Sequence, residues 1–109
     1  LQQLTDEYQK IGDFLNEKWP LKNPDQRVFA RTMKMMEELG ELSDELLSSM
    51  NLQRKSKIEA FDLQNVEDEF ADVLASLLML GIELDLDIEA AIKRKIELTR
   101  NRFDIKPKS

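Results

Sequence analysis

The sequence predicts an all-α protein, a single domain built like a four-helix bundle, and three observations predict it. Only three glycines and three prolines interrupt 109 residues, so long helices are the natural outcome. Apolar residues recur three and four positions apart, the period of one helix face. Hydrophobic residues at 41% and charged residues at 35% suit a folded, well-solvated chain and not a disordered one. A chain of this length supplies one core with little to spare for a second.

Each element follows in order. Residues 4–18 place Leu4, Tyr8, Ile11 and Leu15 at helical spacing, with Phe14 beside them. Trp19–Pro20 ends that helix, because the residue before proline disfavours helical geometry. Asn23–Pro24 starts the second and longest helix, residues 24–50. Its stripe runs through Val28, Met35, Met36, Leu39, Leu42, Leu46 and Met50, widened by Phe29, Met33 and Leu47. Arg31, Lys34, Glu38, Glu41 and Glu45 lie along one edge of that stripe. Residues 51–57 read as a polar, basic loop, and 58–64 are ambiguous between loop and a short helical turn.

The third helix, residues 65–84, carries Val66, Phe70, Val73, Leu74, Leu77, Leu78 and Leu80 on a broad apolar face. Glu69, Asp72 and Ser76 sit at its edge, and Gly81 loosens its end. Asp87 is placed to cap a fourth helix, residues 88–102, which turns Ile88, Ala91, Ile92 and Ile96 inward. The domain spans residues 1–105, and residues 106–109 form a polar, frayed tail.

Composition excludes several chemistries. With no cysteine there are no disulfides or thiolate ligands, and with no histidine the histidine-based triads and zinc sites fall together. A formal charge of −6 argues against a nucleic-acid polymer as partner. No apolar run approaches the roughly 18 residues of a membrane span, so a cytoplasmic protein with no membrane association is expected.

Against this background the carboxylates stand out by position. Glu38 and Glu41 are three apart on one helix, and Glu69 and Asp72 repeat that spacing on another. Like charges so placed repel, and near a buried face they call for a cation. If the two helices pack antiparallel, the pairs face each other. Four hard oxygen ligands without nitrogen or sulfur favour Mg2+, or Mn2+, over zinc or copper. The alternative is a solvated acidic face, since 22 of the 109 residues are acidic.

The run Glu37-Glu38-Leu-Gly-Glu41-Leu, followed by Glu69-Phe-Ala-Asp72-Val-Leu, resembles the paired Glu-Glu-x-x-Glu and Glu-x-x-Asp motifs of the MazG-like all-α nucleotide pyrophosphohydrolases. The resemblance covers nearly the whole chain, from the tryptophan-ended first helix through Phe103. It implies hydrolysis of (deoxy)nucleoside triphosphates between the α and β phosphates, giving a nucleoside monophosphate and pyrophosphate. It further implies Glu38, Glu41, Glu69 and Asp72 as ligands of magnesium, with Glu38 or Glu41 as general base. Glu37 diverges from Glu38 by about 100° around the helix and is a flanking residue unless a second ion recruits it.

The same resemblance assigns substrate contacts. Family members end on a Lys-x-x-x-Asn-x-x-Arg-aromatic pattern, matched here by Lys95, Arg102 and Phe103, with Thr99 where asparagine is expected. Threonine donates one hydrogen bond but lacks the amide's reach and second donor. Trp19 stands where an aromatic side chain walls the base in similar proteins, a core or interface tryptophan being the alternative. Gly40, inside a helix, allows close helix approach beside the carboxylates or is merely tolerated. A homodimer or homotetramer is expected, both from the wide stripe between Phe29 and Met50 and from the family. Two alternatives stay open: a non-enzymatic helical interaction module, and a related hydrolase acting on another phosphorylated, nucleotide-like substrate.

Overall fold

The computed structural model describes residues 1–21, 23–49 and 63–106. The described residues form four helices and no strand: α1 (Gln2–Lys18), α2 (Pro24–Ser49), α3 (Leu63–Glu83) and α4 (Ile88–Phe103). The all-α expectation therefore holds. The loop expected at 51–57, residues 58–62 of the ambiguous stretch, Met50 and residues 107–109 of the tail lie outside the described residues. Leu63 and Gln64, from the end of the ambiguous stretch, belong to α3.

Local chemistry explains where the helices stop and start. At Trp19 the backbone leaves the helical region (φ −127°, ψ 76°), as the following proline requires. Asn23 caps α2, its side-chain oxygen accepting from the Gln26 N–H at 2.9 Å, and Pro24 occupies the first helical position. Asp87 caps α4 in the same way, accepting from the Ala90 N–H at 3.1 Å.

The C-termini of α3 and α4 close alike. Asp85 (φ 57°) and Asp104 (φ 52°) adopt the left-handed conformation. The next residue then donates back across the turn, Leu86 N–H to Gly81 and Ile105 N–H to Arg100, at 3.0 and 2.9 Å. Gly81 does not loosen the helix as expected. It is buried within α3, and a Cβ there would stand 2.8 Å from Ile88 Cδ1, so its bare backbone lets the first turn of α4 come close.

α3 is the central helix, packing along α2 and more lightly against α1, while α4 makes no comparable contact with the other three. The radius of gyration is 17.6 Å, against about 13 Å for a compact chain of this length. Leu42 and Leu78 are the buried large apolar side chains among the described residues, whereas Phe29 and Phe70 are 68% and 61% exposed. Much of the stripe expected to face a core thus faces outward. No helix among the described residues is long and apolar enough to cross a membrane.

Among the described residues Gly40 meets nothing within 4 Å of where a Cβ would lie, so it serves no close helix approach there. Gly40→Ala is expected to stabilise the protein by about 1 kcal/mol, the difference in helix propensity, measured by urea denaturation. A loss of stability instead would mean that another molecule packs on this position.

Candidate metal centre and adjoining cavity

The cluster forms where α2 crosses α3. Glu38 and Glu41 come from adjacent turns of α2 and Glu69 from α3, and one carboxylate oxygen of each lies within 4.8 Å of the others. Oxygens that share one magnesium stand about 3–4 Å apart, so the three carboxylates would have to draw together to hold it. Asp72 is outside this group. It is exposed and lines the cavity beside Glu38, so the expected quartet is a trio with a neighbour.

Burial makes the trio costly without a cation. Glu38 is only 7% exposed, yet its Oε2 has no hydrogen-bond partner among the described residues, and neither does the buried Oε2 of Glu69. An ionised oxygen removed from water and left unpaired is strongly unfavourable. The donor set, carboxylates alone with two orphaned oxygens, fits a hard divalent ion. Proximity also shows in the proton affinity of Glu41. The charge of Glu38 raises its pKa above the ordinary carboxylate value, with desolvation and the charge of Glu69 acting in the same direction.

Lys34, one turn before Glu38, donates to Glu38 Oε1 at 3.0 Å and to Glu37 Oε1 at 3.5 Å. The hydrogen bond to Glu38 and the charge of Glu37 raise the lysine pKa. Glu37 is exposed and turned to Lys34, in keeping with a flanking position. Beside the cluster opens a cavity of about 360 Å³ between α1, α2 and α3. Tyr8, Ile11, Leu15 and Met79 form its apolar walls, and Arg31, Lys34, Glu38, Asp72 and Ser76 its polar lining.

The remaining expected contacts lie elsewhere. Trp19 is 62% exposed, and so is no core residue of this chain. The Lys18 ammonium lies over its ring at 4.8 Å. Trp19 lines a second cavity of about 200 Å³ that shares Leu15 and Arg31 with the first. Lys95 and Thr99 line a groove made only by residues 92–105, so the chain does not bring them to the carboxylates. The Thr99 hydroxyl donates to the Lys95 carbonyl at 2.9 Å, within its own helix, which uses the one donor proposed for substrate. Arg102 is exposed, one residue from the end of α4.

Arg31 and Lys34 were legible in the sequence only as edge residues of the α2 stripe. Their spacing of seven and four from Glu38 was the available signal for a shared face. Tyr8 on the α1 stripe and Ser76 at the edge of α3 were likewise legible by position alone, and helix pairing brings both to the cavity. Compared with models of known families, with curated proteins and with solved structures, the chain matches none of them.

Proposed function

We propose that this protein is a magnesium-dependent nucleotide pyrophosphohydrolase of the MazG-like all-α kind. It cleaves (deoxy)nucleoside triphosphates between the α and β phosphates and so clears nucleotides from a pool. The observation that carries the proposal is the trio Glu38, Glu41 and Glu69 with two buried, unpartnered carboxylate oxygens. The paired acidic motifs support it from the sequence side.

Glu38, Glu41 and Glu69 would hold the ion, with Asp72 at the cavity edge for a second one. When bound, magnesium offsets phosphate charge, polarises the phosphorus and activates water without histidine. The protein's own part is positional. The buried carboxylate of Glu38 anchors the site, and Glu41, the exposed member, is open to solvent and accepts the proton of the attacking water. The water oxygen bonds to the α phosphorus, and the bond from that phosphorus to the bridging oxygen breaks. The bridging oxygen leaves with the β phosphate as pyrophosphate.

A homodimer or homotetramer completes the fold in this proposal, because among the described residues α4 makes little contact with the other helices and many apolar side chains face outward. Those same faces favour a second reading, a non-enzymatic helical interaction module. A substrate panel separates the two. Incubation with nucleoside triphosphates and Mg2+ is expected to release pyrophosphate and nucleoside monophosphate in equal amounts. Turnover of none of them favours the interaction module, and turnover only of another phosphorylated compound favours the related hydrolase.

A further inference from the structure

Three cations of α2 approach the cavities, and their partners differ. Arg27 is neutralised by Glu83 across the α2–α3 contact at 3.1 Å. Arg31 is half-buried, yet its Nη2 donates to a neutral acceptor, Asn16 Oδ1 at 3.2 Å, and no carboxylate among the described residues pairs with it. A half-buried guanidinium pinned by one amide keeps further N–H donors in a rigid fork, the geometry suited to phosphate oxygens. Lys34 lines the same cavity and holds Glu38 Oε1.

We infer that Arg31 and Lys34 are the phosphate-binding residues of this chain, receiving the phosphates of the substrate in the cavity between α1, α2 and α3. The inference rests on the proposed metal centre and names residues to which neither spacing nor resemblance assigned that role. Before a divalent ion binds, the Lys34 ammonium is the counter-charge of Glu38. Once an ion satisfies that carboxylate, the lysine is held only by the exposed Glu37 at 3.5 Å, and its remaining donors can turn to an anion. Arg31 needs no such release, since its present partner is uncharged. Lys95 and Arg100 line a groove made by residues 92–105, so among the described residues the cations lining the cavity beside Glu38 are Arg31 and Lys34 of α2.

The test is calorimetric titration of the full chain with Mn2+ alone, and then with magnesium tripolyphosphate. Lys34→Met and Arg31→Gln are each expected to weaken tripolyphosphate binding about 10-fold or more, the loss of a charge-assisted hydrogen bond. Lys34→Met is expected to bind Mn2+ several-fold more tightly, because the competing ammonium is gone. Lys34→Arg and Arg31→Lys, which keep the charge, recover part of the tripolyphosphate affinity, and this holds the test open if Arg31→Gln fails to fold. Lys10→Met, a surface lysine paired with Glu7 on α1, leaves both affinities unchanged.

Mn2+ binding by the wild type with unaltered tripolyphosphate affinity in both variants overturns the inference alone. Weaker Mn2+ binding in Lys34→Met also overturns it, since the lysine then only positions Glu38. Absence of Mn2+ binding by the wild type removes the metal centre itself, and the inference with it.

Discussion

Glu38→Gln abolishes the thermal stabilisation that Mg2+ or Mn2+ confers on the wild type, and lowers nucleotide turnover by more than about 100-fold. Loss of even an outer contact around a metal typically costs about 10- to 100-fold in affinity or activity, and Glu38 is a direct ligand in this account. At a metal concentration 100 times Kd the wild type gains about 2.7 kcal/mol, readily seen as a shift in Tm. Glu69→Gln behaves alike, because its buried oxygen is orphaned in the same way. Asp72→Asn has the smaller effect on metal affinity, since its carboxylate is outside the trio.

Glu41→Gln separates two consequences of one arrangement. Without metal, the raised pKa means that folded Glu41 holds its proton more tightly than the unfolded chain does. Its contribution to stability is therefore present at low pH and lost as pH rises through the folded pKa. Removing that charge raises the metal-free Tm at neutral pH and, at the same time, removes the response to Mg2+. A stabilised variant that still responds fully to Mg2+ would place the ion elsewhere.

The second large effect is on the core. Leu78→Ala is expected to cost about 2–5 kcal/mol in urea denaturation, as for other buried leucines. Leu78 is 4% exposed on the central helix, and Leu42, at 8%, is the other buried large apolar side chain among the described residues. Against a total stability of about 5–15 kcal/mol, that loss takes much of what holds α3 to its neighbours. Phe29→Ala, by contrast, removes a side chain that one chain leaves exposed. It leaves unfolding of the isolated chain little changed, and a marked loss that grows with protein concentration reports its burial between copies.

The helices were legible because their signals are local. Asn23 and Asp87 announced caps that the backbone uses, and Trp19–Pro20 stopped α1 where expected. The carboxylate trio was partly legible. Spacing puts Glu38 and Glu41 on one face of α2, but which carboxylate of α3 meets them depends on the phase at which the two helices cross. That phase brings in Glu69 and turns Asp72 to the cavity. Gly81 misled because a glycine in a helix can serve a neighbour's approach as well as the helix's own end. The position of α4 was not legible at all, since its apolar residues show that it seeks a partner without saying which.

In the proposed site three carboxylates from α2 and α3 hold one divalent cation. Anomalous diffraction from crystals soaked in Mn2+ tests it most directly. The expected result is a manganese peak bonded to oxygens of Glu38, Glu41 and Glu69. A peak confined to other acidic residues, or no peak at saturating Mn2+, would contradict it.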